Sequence, residues 1–313
     1  MKKFVGLIVL ALCCALSAKE LRVLAVGNSF SLSVTRNLPQ IVASVPGNRI
    51  ILTSAYIGSC PLEKHWKSIL KAEKNAKVKP YGITVWDSAH KGFKVSDYRG
   101  NVNELVKKNK YDIITIQQSS PNSWKYETYQ PYAKNLIAYL EKYQPQAEII
   151  IQQTWSYRSD STLLKEWKFD NAAMYSKLNE AYCQLAKENG FRIIPSGYAV
   201  QIFREKNPVK YVPLTDEELK KFKKPAVPAW DADVVGRHNW KKKKGETKGL
   251  HLIADWAHLN AHGEYLQAAV WFNFLFDQPA TNVKYVQRGM KKERAKFLLE
   301  CAAEAVANYK PVK

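Results

Sequence analysis

The sequence predicts an α/β protein built as three layers, with helices on both faces of a doubly wound, mainly parallel β-sheet. Short apolar runs rich in β-branched residues alternate with longer amphipathic stretches, which is the pattern of successive βαβ units. The runs are almost continuously apolar, as strands covered on both faces must be. Aromatic residues are abundant, with 9 Trp, 17 Tyr and 11 Phe in 313 residues, so the chain can fill a core and its bulk is not disordered. Hydrophobic residues at 46% and charged residues at 24%, with only 14 Gly and 14 Pro, also exclude collagen-like and low-complexity classes.

Residues 1–18 read as a secretory leader: Lys2 and Lys3, an apolar run over 4–16, then the small residues Ser17 and Ala18. The run is shorter than the ~20 residues a membrane-spanning helix needs. The expected location is therefore the periplasm or the extracellular space, with no integral membrane segment once the leader is removed. Cys13 or Cys14 would serve as a lipid acceptor only in a lipoprotein leader, and Leu12 stands where Cys13 would require a small residue.

Strands are expected at 21–26 (LRVLAV), 49–54 (RIILTS), 82–86 (GITVW), 111–116 (YDIITI), 148–152 (EIIIQ) and 191–194 (FRII). Helices are expected between them at 34–44, 62–76, 101–108, 132–143 and 163–189. The stretch 205–250 breaks the alternation. It holds Pro208, Pro213, Pro225 and Pro228 together with lysine runs at 220–221, 223–224 and 241–244, and reads as a basic surface excursion. A helix follows at 261–276, and a last, amphipathic helix at 291–308. The expected organisation is one domain over 19–280, inserted at about 205–250, with the tail 281–313 packed on it.

Forty-eight basic against 28 acidic residues give a formal charge of +20. In the cytosol such a charge would suggest nucleic acid. For an exported chain, acidic polysaccharide or an anionic membrane surface is the more available partner, and a basic surface with no partner is the plainer alternative. Beyond the leader only Cys60, Cys183 and Cys301 remain, so a disulfide scaffold is excluded.

Ligands of an open parallel sheet bind beyond the carboxyl ends of its strands. After the first strand comes Gly27-Asn28-Ser29-Phe30-Ser31, which would hold the Ser29 hydroxyl near a helix N-terminus, where negative charge is favoured. A capping serine is the plainer reading of this turn taken alone. It lacks the glycine spacing and lysine of a phosphate-binding P-loop. The second constellation is Asp255-Trp256-Ala257-His258-Leu259-Asn260, expected as a loop. Serine becomes a nucleophile only when a base takes its proton and a carboxylate orients that base, and Asp at i with His at i+3 can be neighbours. A rival reading makes Asp255, His258 and His262 metal ligands, but no Glu follows the first His and the metalloprotease pattern is missing. No metal or cofactor is expected.

Taken together, 27–31 (GNSFS), 56–66 (YIGSCPLEKHW), 111–118 (YDIITIQQ), 153–157 (QTWSY) and the late Asp-x-x-His-Leu resemble the SGNH (GDSL-like) hydrolase superfamily, and within it a subgroup classed as a domain of unknown function. The resemblance spans about 21–276 and implies a flavodoxin-like SGNH fold. It implies Ser29 as nucleophile, His258 as general base and Asp255 as its orienting carboxylate. The oxyanion hole would take backbone N–H groups of Ser29 and Gly58. The superfamily's Gly-x-Asn-Asp block is replaced here by Gln117-Gln118-Ser119-Ser120-Pro121-Asn122, so Gln118, or failing it Asn122, is expected as third donor. Trp155 and Tyr157, with Asn122, are candidate substrate-binding residues; burial in a core is the commoner fate of such aromatics. Tyr56 and Trp66 flank the Gly58 loop. The implied function is a secreted serine esterase acting on acylated carbohydrate, its substrate a small-molecule or polysaccharide ester of anionic character. The alternative is a non-catalytic carbohydrate- or polyanion-binding protein on the same scaffold.

Overall fold

The computed structural model describes residues 19–242, 245–246 and 249–311; the leader expected at 1–18 lies outside them. The chain runs β1 (Lys19–Gly27), α1 (Ser29–Leu32), α2 (Leu38–Ala43), β2 (Asn48–Tyr56), α3 (Leu62–Lys74), β3 (Tyr81–Asp87), β4 (Lys94–Gly100), α4 (Val102–Lys108), β5 (Ile113–Ile116), α5 (Tyr132–Tyr143), β6 (Glu148–Gln152), α6 (Thr162–Trp167) and α7 (Asn171–Asn189). It continues through β7 (Ile193–Ile194), α8 (Ser196–Lys206), α9 (Asp216–Lys220), β8 (Val235–Lys241), β9 (His251–Leu259), α10 (Ala261–Phe276) and α11 (Lys292–Asn308).

Seven strands form one sheet in the order β4-β3-β2-β1-β5-β6-β7. β1 lies at its centre because Val23, Leu24, Ala25 and Val26 are apolar on both faces, and all four are buried. It pairs in parallel with β2 (Val23 with Leu52) and with β5 (Val23 with Ile113). β6 and β7 extend the parallel part. Helices close both faces: α3 packs with α4 and α5, while α10 packs with α2, α8 and α11. On α3 the buried residues Leu62, His65, Ile69 and Ala72 recur at helical spacing.

Several sequence expectations change. The strand expected at 82–86 is antiparallel to β2 even though α3 lies between them, and a short turn returns it as β4, again antiparallel. β4 (KVSDYRG) escaped notice because an exposed edge strand needs no apolar run. The helix expected at 34–44 divides into a 3-10 turn at Ser33–Arg36 and α2, where Pro39 occupies the first turn, and α1 precedes it unforeseen. That at 163–189 divides at Lys168, whose φ of 57° ends α6 before Asp170 caps α7. α8 was not foreseen. The stretch 205–250 contains α9 and β8, and residues 255–259, expected as a loop, belong to β9, which pairs with β8 in a separate two-stranded sheet.

Candidate active site

Ser29 is the first residue of α1, beyond the carboxyl end of the central strand. The turn is set by Asn28. Its Oδ1 accepts the Phe30 N–H (3.0 Å) and an N–H of Gln117 (2.8 Å), and its own amide donates to the Cys60 carbonyl (3.2 Å). Gly27 is required here, because a Cβ would lie 2.3 Å from Ser31 Oγ. The Phe30 carbonyl accepts from Ser33 Oγ, Gln152 Nε2 and Gln267 Nε2, which ties α1 to the core on its other side.

His258 reaches Ser29 from β9. Its Nε2 lies 2.8 Å from Ser29 Oγ, and its Nδ1 lies 3.0 Å from Oδ2 and 3.1 Å from Oδ1 of Asp255. The pairing of β8 with β9 explains how Asp255 and His258 become neighbours. Val235 opposes Leu259 but Arg237 opposes Asp255, so β9 bulges between them. Asp255 Oδ1 closes the bulge by accepting the N–H groups of Ala257 (3.2 Å) and His258 (3.1 Å). Burial pushes the Asp255 carboxyl upward, but the hydrogen bonds and charge of His258 outweigh it and hold the group well below the usual carboxylate range. Asn260 then caps α10, accepting from the N–H groups of His262 and Gly263 and donating to the carbonyls of Asp233 and Gly236. The edge of Phe30 contacts His258, with centroids 5.4 Å apart.

These residues open into a cleft of roughly 220 Å³ lined also by Leu32, Arg36, Trp155, Arg237 and Glu264. Glu264 is buried beside Arg36 (3.3 Å), and burial raises its pKa although both arginines and His258 oppose the shift.

Comparison with known proteins gives the family of the chain. Residues 22–210 match the family model described as a domain of unknown function, DUF4886. The chain belongs to the DUF4886 family. The family match includes Ser29 and ends before Asp255 and His258. A DUF4886 protein from Bacteroides uniformis superposes with a TM-score of 0.72 at 24% identity, covering 93% of this chain and 96% of that one; this likeness establishes the fold. Fainter likenesses are to a proposed SGNH hydrolase from Slackia heliotrinireducens (TM-score 0.45, 17% identity, 83% of this chain and 98% of that one) and to an acetyl xylan esterase (0.42, 11%, 81% and 99%). Among curated proteins no relative is found.

The DUF4886 chain thus brings Ser29, His258 and Asp255 into one hydrogen-bonded series. The other expected site residues fare differently. Gly58 is exposed in the turn beyond β2, whose last residue, Tyr56, pairs with Gly27, and it is not among the residues lining the cleft. Gln118 is not available as an oxyanion donor. It is fully buried, its Nε2 donates to the carbonyl and hydroxyl of Thr128, and its Oε1 accepts from Leu62 and Ser119. Asn122 lies in a 3-10 turn, Ser120–Asn122, outside the cleft lining. Trp155 lines the cleft, yet its ring stacks on Phe30 (4.2 Å between centroids) and its N–H holds the Ala257 carbonyl, so it offers no free face to a sugar. Tyr157 is buried against Trp167 and Trp256 with its hydroxyl donating to Ser120 Oγ, and is a core residue.

His262 stands apart from the series, 3.7 Å from Asp231, and among the described residues no group of three potential metal ligands is found. Cys60, Cys183 and Cys301 are free and buried, and burial pushes the Cys60 thiol up to about 12, which removes it as a nucleophile. His65 is buried against the Tyr81 hydroxyl with a pKa lowered to about 3, as a neutral core residue. Sequence reasoning missed Arg36, Arg237 and Glu264, which come to the cleft from a turn, a strand and a helix far apart in the chain. No helix among the described residues is long and apolar enough to cross a membrane.

Proposed function

We propose that this protein is an exported serine esterase that removes acyl groups from carbohydrate. The observation that carries the proposal is the unbroken series from Ser29 Oγ through His258 to Asp255 at the mouth of the sheet. In the reacting tautomer, Nδ1–H of His258 donates to Asp255 and Nε2 accepts the Ser29 proton. Ser29 Oγ then bonds to the ester carbonyl carbon. The oxyanion is held by the N–H of Ser29, which the helix itself leaves without a carbonyl partner at this position, and by the N–H of Gly58. Collapse breaks the bond to the sugar oxygen, which leaves with the proton from His258. A water deprotonated by His258 attacks the acyl-serine, releasing the acid and restoring Ser29.

Export rests on the leader at 1–18, and the organisation that goes with it is one domain over 19–280 carrying the tail 281–313. Hydrolysis of p-nitrophenyl acetate and of acetylated oligosaccharides by the purified chain tests the chemistry. Ser29→Ala is expected to reduce both to background with an unchanged circular dichroism spectrum; equal rates in variant and wild type would overturn the assignment.

A further inference from the structure

The cleft beside Ser29 holds more positive charge than acyl transfer requires. Arg36 enters from the turn after α1, Arg237 from β8, and Lys241 stands at the end of that strand. Of the two carboxylates present, Asp255 is occupied by His258 and by two backbone N–H groups. Glu264 alone faces both guanidinium groups, 3.3 Å from Arg36 Nε and 4.0 Å from Arg237 Nη1. Arg237 Nε is buried and has no hydrogen-bond partner; its Asp255 neighbour lies 3.8 Å away, beyond hydrogen-bond length.

The backbone that carries this guanidinium is closely packed. Gly236 before it has φ +90°, and a Cβ there would lie 2.7 Å from the Arg158 guanidinium. Arg158 is in turn fixed by a two-point pair with Asp160 at 2.7 and 2.8 Å. A planar guanidinium fork with free donors matches a carboxylate or sulfate. The apolar lining is limited to Leu32, Trp155 and Leu259, a small apolar surface that suits a short acyl group better than a fatty chain.

We propose that this cleft selects esters bearing a carboxylate or sulfate next to a short acyl group, as on an O-acetylated acidic glycan, with Arg237 and Arg36 binding the anion. The inference rests on the esterase reading and adds the substrate class. The test compares kcat/KM of the full chain on O-acetylated polymannuronate, O-acetylated sulfated mannan and O-acetylated neutral mannan. At least one acidic polymer is expected to exceed the neutral one tenfold or more, and which one does so tells carboxylate from sulfate. In the Arg36→Gln/Arg237→Gln double variant the ratio is expected to fall below twofold, while Lys296→Gln, which removes a positive charge from exposed α11, keeps it. The Arg36 side chain is 61% exposed, so Arg36→Gln alone serves if the double variant does not fold, with a several-fold fall in the ratio.

A wild type that hydrolyses the neutral polymer as well as the acidic ones overturns the anion selection and leaves the esterase standing. Absence of hydrolysis on all three overturns the esterase. Calorimetric binding of a mannuronate trisaccharide, of its sulfated mannose counterpart and of mannotriose then decides the anion site separately. Binding of either acidic trisaccharide but not of mannotriose, lost in the arginine variants, upholds it; failure of both to bind sinks it.

Discussion

Ser29 owes its position to the side chain before it. Asn28 commits its side-chain oxygen to Phe30 and Gln117 and donates its amide to Cys60, so the turn is locked and the hydroxyl is left to face His258. Asp255 works in the same way at the other end, joining two backbone N–H groups to the imidazole. Asp255→Asn is therefore expected to keep the bulge, since the amide oxygen still accepts from the backbone, while presenting the wrong partner to Nδ1. The expected loss is on the order of 10³–10⁴ in kcat with little change in melting temperature. A fall of less than tenfold in p-nitrophenyl acetate turnover would remove Asp255 from the mechanism. Motif spacing made these residues legible because each contact is local or lies at a strand end. Gln118 was misjudged for the converse reason: sequence position puts its amide near the mouth, and only packing reveals that Thr128, Leu62 and Ser119 consume it.

At the level of elements, β1, β2, β5 and β6 were legible through apolar runs buried on both faces, and β3 through its apolar run although it is only half-buried. β4 and β8 are polar and lie at edges, where one covered face or none leaves no apolar signature. The antiparallel β3 is tied to β2 by Arg49, whose guanidinium grips both carboxylate oxygens of Asp87 at 3.1 and 2.7 Å. The Arg49 hydrogen bonds lower the Asp87 pKa, with burial opposing. A carboxylate with a depressed pKa in the folded state stabilises above its unfolded pKa of about 3.9, and that contribution disappears as pH falls through the folded value. Asp87→Asn is thus expected to cost about 1 kcal/mol at neutral pH, allowing for the half-exposed arginine. Urea unfolding from pH 7 to pH 3 should show a wild-type advantage that is constant above about pH 5 and shrinks below about pH 4. An advantage that grows in acid would contradict the assignment.

For the whole molecule, charge and topology act independently. The formal charge of +20 is a surface property that says nothing of the fold, but it creates a field that attracts polyanions. Retention on an acidic polysaccharide matrix is expected at ~0.1 M salt and lost near ~1 M, as the Debye length contracts from ~10 Å to ~3 Å. Ser29→Ala should elute with the wild type, because this retention involves the whole surface; retention that persists at 1 M salt would show a specific site instead.

Periodicity and strand-end motifs by themselves determined the layered α/β fold and the parallel centre of the sheet, while the pairing of a turn serine with a distant Asp-x-x-His was what the family resemblance implied. Burial on both faces and hydrogen bonds within a few residues write themselves into local sequence. The tertiary structure alone decided the antiparallel edge, the β8–β9 pairing and the company of Arg36, Arg237 and Glu264 around Ser29. Those groups come from a turn, an edge strand and a helix face, and nothing in local sequence records which side chains such elements turn toward one another. The same holds for amide groups such as Gln118, whose role depends on which neighbours reach it first when the chain closes.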